Sequence, residues 1–139
     1  MAYDGPILLI DDDDDDLDIV TAVLRKEGVH NELHHFKDGL QAIEFLLSTT
    51  VRPFLILADI NMPKMGGIEM RKAISENPLL KSKSIPFVFF TTTATESTVL
   101  QAYDMDVQGF FEKGKTMEEM TRRLKNIVEY WKDCRHPNN

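Results

Sequence analysis

The sequence has little of what secreted and membrane-spanning proteins require. It contains a single cysteine, Cys134, so no disulfide framework within the chain is possible. The N-terminal segment MAYDGPILLI has no basic region and no long apolar core, which argues against an ordinary secretory signal. No apolar run approaches the roughly 20 residues needed to cross a bilayer. These absences favour a cytoplasmic protein that has no membrane segment.

An excess of basic residues is also missing. The chain has 16 Lys and Arg against 23 Asp and Glu, a formal charge of −7, whereas non-specific nucleic-acid binding needs a basic surface. The composition, 42% hydrophobic and 28% charged over 139 residues, is typical of one globular domain. We therefore expect a single domain over residues 1–139, with a core of about residues 6–133 and a short polar C-terminal tail, His136–Asn139.

Short apolar segments alternate with segments of helical periodicity along the chain. The apolar segments predict five strands, at Pro6–Ile10, Glu32–Phe36, Phe54–Ala58, Pro86–Phe90 and Val107–Glu112. The periodic segments predict five helices. Alternation of this kind predicts an α/β fold, a doubly wound five-stranded parallel sheet of flavodoxin-like order 2-1-3-4-5.

Three local features of the helices and loops can be predicted in more detail. The last helix has the clearest pattern, with the apolar residues Met117, Met120, Leu124, Ile127 and Trp131 spaced three and four apart. Asp14 or Asp15 is expected to cap the first helix. The segment Leu79–Ser84 is predicted to be a polar loop.

Polar side chains follow four of the predicted strands, at the point where each strand ends. Asp11 and Asp12 follow the first strand, Asp59 the third, Thr91 the fourth and Lys113 the fifth. Because the carboxyl ends of parallel strands meet at one edge of a sheet, we expect these groups to converge on one pocket. Neighbouring carboxylates repel unless a cation joins them, and hard oxygen ligands favour Mg²⁺.

Such a pocket has the parts of a phosphoryl-accepting site. A carboxylate beside a bound metal can act as a nucleophile and form an aspartyl-phosphate. The metal and a lysine neutralise charge on the phosphoryl oxygens during transfer. The hydroxyl of Thr91 is suited to hydrogen-bond the bound phosphoryl group. We therefore predict that phosphoryl transfer takes place at this edge of the sheet.

Simpler interpretations explain only some of these residues. A solvated acidic tract explains Asp13–Asp16 but not the two aspartates that directly follow the buried strand. A calcium-binding EF-hand loop is excluded because Asp16 stands where glycine is needed and Ala22 where glutamate is needed. The cluster Thr91–Thr98 resembles a flavodoxin phosphate loop only in composition, since that loop should follow the first strand.

At these residues the chain resembles the receiver domains of bacterial two-component response regulators, over roughly Ile7 to Trp131. The matching motifs are ILLIDDDD, LADINMP, FVFFTTT and GFFEKG. The resemblance implies that Asp59 is phosphorylated. It also implies that Mg²⁺ is held by Asp11, Asp12, Asp59 and the backbone carbonyl of Asn61.

The same resemblance assigns roles to the residues of a conformational switch. Thr91 is the switch hydroxyl, Lys113 the phosphate partner, and Phe110 occupies the position of the switch aromatic, which is often tyrosine. Asn61 and Thr93, two residues beyond the phosphoacceptor and switch positions, are expected to tune the lifetime of the phosphorylated form.

The function implied is that of a single-domain response regulator similar to chemotaxis regulators. It would accept a phosphoryl group from a sensor histidine kinase or a histidine phosphotransfer protein, and signal by protein contacts or phosphorelay. It would catalyse only its own phosphorylation and dephosphorylation. A downstream protein would dock on the face formed by the fourth helix, fifth strand and fifth helix, and homodimerisation is left open. The segments Asn77–Ser84 and Pro86–Thr92 are similar to those of stand-alone receivers, including those paired with phytochrome-like kinases.

Two other function classes stay open beside the receiver. Gly114 stands where the family usually has proline in a cis peptide, and a cis bond before glycine is energetically disfavoured. This departure is the only support for a degenerate receiver that acts as an unphosphorylated binding module. A phosphatase of the haloacid-dehalogenase type also uses an aspartyl-phosphate, but it should carry an acid where Asn61 stands.

Overall fold

The computed structural model describes residues 2–92 and 94–138, which form five strands and six α-helices. A short 3-10 turn, Ala2–Asp4, comes first. The strands are β1 (Ile7–Ile10), β2 (Leu33–Phe36), β3 (Leu55–Ala58), β4 (Phe87–Thr91) and β5 (Gly109–Glu112). The helices are α1 (Asp14–Lys26), α2 (Gly39–Ser48), α3 (Gly67–Glu76), α4 (Pro78–Ser82), α5 (Glu96–Asp104) and α6 (Met117–Asp133).

All five strands lie parallel in one sheet of order β2-β1-β3-β4-β5, which confirms the predicted flavodoxin-like architecture. Ile7 of β1 pairs with Leu33 on one side and with Leu55 on the other. The three central strands are buried along their whole length because helices cover both faces, as their continuous apolar sequences predict. The chain order reverses between β1 and β3, which is where such sheets bind ligands.

The hydrophobic core consists of two clusters, one on each face of the sheet. Helices α1 and α6 cover one face, and α2, α3, α4 and α5 contribute to the other. On α6 the predicted stripe is confirmed for Leu124, Ile127 and Trp131, which are buried, but is wrong for Met117, which is 56% exposed. Met117 is the first helical residue, whereas the buried residues of α6 begin at Leu124.

Two local features differ from the sequence-based expectation. The cap of α1 is Asp13, not Asp14 or Asp15, because the Asp13 carboxylate accepts hydrogen bonds from the N–H groups of Asp15 and Asp16 at 2.9 and 3.2 Å. The predicted loop after α3 contains the short helix α4. Asn77 caps this helix through two backbone N–H groups, and Pro78 occupies its first position, a pairing that favours a helix start.

In the part of the chain that the structure describes, no helix is both long enough and apolar enough to cross a membrane.

The C-terminal tail packs against the amino-end edge of the sheet. His136 is only 1% exposed, and its ring stacks on Phe54 with the ring centroids 5.6 Å apart. Its Nε2 lies 2.7 Å from the carbonyl oxygen of Phe54, and since that oxygen can only accept, Nε2 carries the proton. The hydroxyl of Tyr3 donates to the carbonyl oxygen of Cys134 at 2.5 Å. The tail therefore contributes to the folded domain, although its sequence is polar.

We expect His136→Ala to destabilise the protein by about 2–4 kcal/mol, because it removes a buried ring and leaves a buried carbonyl oxygen without its donor. Urea denaturation measures this change, and His30→Ala, at an exposed histidine, is the matched control. Equal denaturation midpoints for the two variants would show that the docked tail adds nothing to stability.

Candidate functional site

The carboxyl ends of the strands lie at one edge of the sheet and carry the predicted side chains into one pocket. The strand pairing extends past the ends of the strands at two of these residues. The N–H of Asp59 donates to the carbonyl oxygen of Ile10 at 2.9 Å, and the N–H of Lys113 donates to that of Thr91 at 2.8 Å. The backbone at both functional residues is thus fixed by the neighbouring strand, which sets where their side chains begin.

Three carboxylates at this edge are close enough to share a cation. Asp11, Asp12 and Asp59 each offer an oxygen, and these oxygens lie within 4.8 Å of one another. Asp11 is buried and Asp12 exposed, so a bound ion would be held on the protein side and open to water on the other. Oxygen ligands with room for water suit a divalent cation. Asn61 is exposed two residues beyond Asp59, and its carbonyl ligand role stays a prediction.

The ammonium of Lys113 is buried among carboxylates. Its side chain is 2% exposed; its Nζ contacts Asp11 and lies 2.8 Å from Oδ2 of Asp16 and 3.6 Å from Oδ2 of Asp59. Burial alone would lower the pKa of Lys113, but the hydrogen bonds to Asp11 and Asp16 and the negative charges of Asp59 and Asp11 together outweigh it and raise the pKa above the usual lysine range. The ammonium therefore stays charged at neutral pH.

Asp59 is oriented by two hydrogen-bond donors and by one nearby cation. Its Oδ1 accepts from the Thr91 hydroxyl at 2.5 Å and from the N–H of Ile60 at 2.7 Å, and its Oδ2 faces Lys113. Thr91 is fully buried, so its hydroxyl is shielded from solvent. Nearby, burial raises the pKa of the Asp11 carboxyl above the usual aspartate range, and the hydrogen bond from Lys113 offsets only part of that shift. The carboxylates of Asp11, Asp16 and Asp59 outnumber the one ammonium that they share, and a further cation would relieve this excess of negative charge.

The ring of Phe110 packs inward. It is partly buried against Phe89, with the ring centroids 5.9 Å apart. Thr91, the last residue of β4, is turned toward Asp59. The structure therefore brings Thr91 to Asp59 and packs Phe110 in the core, while the switching role of the pair stays a prediction. Thr93, which was expected to tune the lifetime of the phosphorylated form, lies outside the described residues.

Gly114 departs from the family pattern without displacing the lysine before it. Its φ is +88°, a left-handed conformation that glycine adopts at no steric cost, and no peptide bond of the described residues is cis. The ammonium of Lys113 nevertheless lies among the carboxylates of Asp11, Asp16 and Asp59. The loop after β5 thus has a left-handed glycine at the position where the family usually has a cis proline.

Asp16 is a residue of the pocket that sequence reasoning missed. The interpretation of Asp13–Asp16 as a solvated acidic tract is wrong for Asp16, whose carboxylate pairs with Lys113 at 2.8 Å. The position of the helix cap could have predicted this contact. With Asp13 at the N-cap, Asp16 is the third residue of the helix. Side chains on a helix point back toward its N-terminus, which here faces the end of β1.

We expect Lys113→Met to lose about 3 kcal/mol of stability at neutral pH, because it leaves buried carboxylates without their cation. The raised pKa of Lys113 fixes the sign of the pH dependence. Its contribution is present in full below the ordinary lysine pKa of about 10.4 and is lost as the pH rises toward the higher folded value. The deficit of the variant should therefore shrink above pH ~10.

Urea denaturation of both proteins from neutral pH to about pH 11 measures this deficit. Lys115→Met, at an exposed lysine two residues further on, should stay within about 0.5 kcal/mol of the wild type. A Lys113→Met variant that matches the Lys115→Met variant at neutral pH would contradict the central role given to the buried ammonium.

Known proteins share both the sequence pattern and the fold. The family described as response regulator receiver domain matches residues 7–125. The response regulator Rcp1 of Synechocystis sp. is 34% identical over 130 residues, which are 90% of this chain and 87% of Rcp1.

Two solved structures superpose closely on the chain. The phosphorylated cyanobacterial phytochrome response regulator RcpA does so with a TM-score of 0.86 at 29% identity, covering 95% of this chain and 97% of RcpA. The Mn²⁺-bound form of Rcp1 gives a TM-score of 0.84 at 33% identity, covering 95% and 98% of the two chains. Together with the sheet order and the acidic pocket, these matches establish that the chain belongs to the response regulator receiver domains of two-component signalling.

Proposed function

We propose that Asp59 is the phosphoacceptor of this response regulator and that Mg²⁺ is the divalent ion of its acidic pocket. One observation carries the proposal: Asp59 belongs to the acidic cluster, accepts a hydrogen bond from the Thr91 hydroxyl and lies 3.6 Å from the Lys113 ammonium. Asp11, Asp12, Asp59 and the carbonyl of Asn61 would hold the metal. Rcp1 has a Mn²⁺-bound form, which supports a divalent ion in this chain.

The phosphoryl donor is a sensor histidine kinase or a histidine phosphotransfer protein. A carboxylate oxygen of Asp59 bonds to phosphorus while the phosphorus–nitrogen bond of the donor histidine breaks, and the histidine departs with the bonding electron pair. The metal, when bound, supplies neutralisation of the charge on the phosphoryl oxygens. Lys113 contributes a second positive charge, and the Thr91 hydroxyl donates to one of those oxygens.

Hydrolysis later removes the phosphoryl group from Asp59, so the phosphoryl group on the protein itself is the only substrate of the reaction. Water attacks phosphorus, the Asp59 carboxylate leaves with the bonding electrons, and inorganic phosphate is released. No other substrate is required, so the protein catalyses only its own phosphorylation and dephosphorylation. The exposed Asn61, where a haloacid-dehalogenase phosphatase needs an acid, disfavours turnover of external phosphate esters.

The signal passes to a downstream protein on the face formed by α5, β5 and α6. Leu100, Tyr103 and Met117, which are 61%, 52% and 56% exposed, give these helices apolar groups for docking. A homodimer through the same face is the alternative use of these groups.

Residues 1–139 act as one receiver domain. The location is cytoplasmic, because the donor histidines are phosphorylated from ATP in that compartment.

Incubation with acetyl phosphate and Mg²⁺ should add one phosphoryl group to the wild-type chain, because this small donor needs only the pocket itself. Acetate is then the leaving group. Intact-mass spectrometry measures the gain of one phosphoryl mass. Asp59→Asn should show no gain, and Asp12→Asn a reduced gain at limiting Mg²⁺, because one metal ligand is lost.

Asp15→Asn is the matched control, since it removes one negative charge from the same acidic run at an exposed position. It should be labelled as the wild type is, and a chelator should abolish labelling of both. Labelling that persists in Asp59→Asn would place the phosphoacceptor elsewhere. No labelling of the wild type at any Mg²⁺ concentration would favour the binding module, and steady release of phosphate from an external ester the phosphatase.

A further inference from the structure

We propose that Asp16 is a positioning residue that holds the Lys113 ammonium while Asp59 is unphosphorylated and releases it to the phosphoryl group once Asp59 is phosphorylated. The inference rests on the proposed function of Asp59. Asp16 belongs neither to the acidic cluster of Asp11, Asp12 and Asp59 nor to the N-cap of α1, which is Asp13. Asp16 would thereby set how readily the pocket accepts a phosphoryl group.

The geometry at Lys113 favours Asp16 over Asp59. The distance from Nζ to Oδ2 of Asp16 is 2.8 Å, a hydrogen bond, whereas the distance to Oδ2 of Asp59 is 3.6 Å, which is too long for one. Asp11 is the second close partner of the ammonium. An ammonium has three N–H donors, and two of them are thus directed away from the residue that receives the phosphoryl group.

Exposure decides which of the two close partners gives way. The side chain of Asp16 is 27% exposed, whereas that of Asp11 is 9% exposed. A carboxylate near solvent regains water when it loses a hydrogen bond, but a buried one is left with the cost of desolvation. Asp16 is therefore the partner that Lys113 can leave at the lower cost.

The surroundings of Asp16 suit a carboxylate that is released and recaptured. A small cavity of about 20 Å³ adjoins Asp11, Asp16 and Asp59, and apolar residues form the rest of its lining; its volume is room for about one water molecule. The backbone of Asp16 is fixed because its N–H donates to the Asp13 carboxylate and because the next residue, Leu17, is buried. Only the side chain needs to move, and it returns to the same place after dephosphorylation.

The Asp16 carboxylate and a phosphoryl group on Asp59 therefore compete for the Lys113 ammonium. The oxygens of a phosphoryl group on Asp59 need a donor, and the Lys113 ammonium must exchange the Asp16 carboxylate for one of them. Removing the Asp16 charge removes the competitor, so Lys113 becomes available to Asp59 before the phosphoryl group arrives. A tighter pocket for the donor phosphate and faster phosphorylation follow.

The test compares Asp16→Asn with Asp15→Asn, which removes the same charge from the same helical turn without touching Lys113. With acetyl phosphate and Mg²⁺, we expect Asp16→Asn to be phosphorylated at least about fivefold faster than the wild type, because a charged hydrogen bond no longer has to be exchanged. Asp15→Asn should stay within about twofold. Intact mass over time measures both rates.

A second readout does not depend on turnover. In the wild type with Mg²⁺, addition of beryllium fluoride, which mimics the phosphoryl group, should shift the ¹⁵N signal of Lys113 Nζ and the carboxyl ¹³C signal of Asp16 together. A merely structural aspartate would keep its signal. Without beryllium fluoride, the Lys113 signal should already be shifted in Asp16→Asn and unchanged in Asp15→Asn.

The outcomes separate this inference from the proposed function. Equal rates for the two variants, an Asp16→Asn variant slower than Asp15→Asn, or an Asp16 signal that ignores beryllium fluoride would each overturn the exchange while the wild type still accepts a phosphoryl group. A wild type that is never labelled would overturn both the proposed function and the exchange.

Discussion

The buried ammonium of Lys113 is the interaction on which the rest of the pocket depends. It joins the end of β5 to Asp11 after β1, to Asp16 on α1 and to Asp59 after β3. Without a cation at this point the carboxylates would repel one another in a poorly hydrated place. One ammonium does not balance them all, so the pocket keeps an excess of negative charge. That excess explains why the same place suits both a divalent metal and the transfer of a phosphoryl group, whose oxygens need positive charge around them.

The position of this pocket in the fold links the chemistry to a surface. Thr91 reaches Asp59 from the end of β4, and on the neighbouring strand the ring of Phe110 packs against Phe89 below it. Phe110 belongs to β5, which lies beside α5 and α6 in the proposed docking face. Because Phe110 has no hydroxyl, an outward rotamer would gain no hydrogen bond at the surface. If Thr91 and Phe110 act as the proposed switch pair, a change at Asp59 would reach the proposed docking face through β4 and β5.

The sequence was sufficient to predict the sheet and most of the pocket, because both depend on strong local patterns. Buried parallel strands are continuous apolar runs, and the polar residue that ends each run falls at the same edge of the sheet. Asp16 could not be assigned so simply, since a row of aspartates reads as solvated until the helix cap is fixed at Asp13. His136 was missed for a related reason: a polar residue in a tail is buried here through contacts with residues far apart in sequence, the stacking on Phe54 and the hydrogen bond to its carbonyl oxygen. At Gly114 the sequence indicated a different loop, but not that a left-handed residue would keep Lys113 in place.

The most direct test of the account is a crystal structure of the protein with Mg²⁺ and beryllium fluoride. The account predicts beryllium bonded to a carboxylate oxygen of Asp59, with its fluorine atoms contacted by the Thr91 hydroxyl and the Lys113 ammonium. It predicts the metal among Asp11, Asp12 and Asp59. An adduct on another carboxylate, or a metal bound away from this cluster, would contradict the assignment of the pocket as the phosphoryl-accepting site.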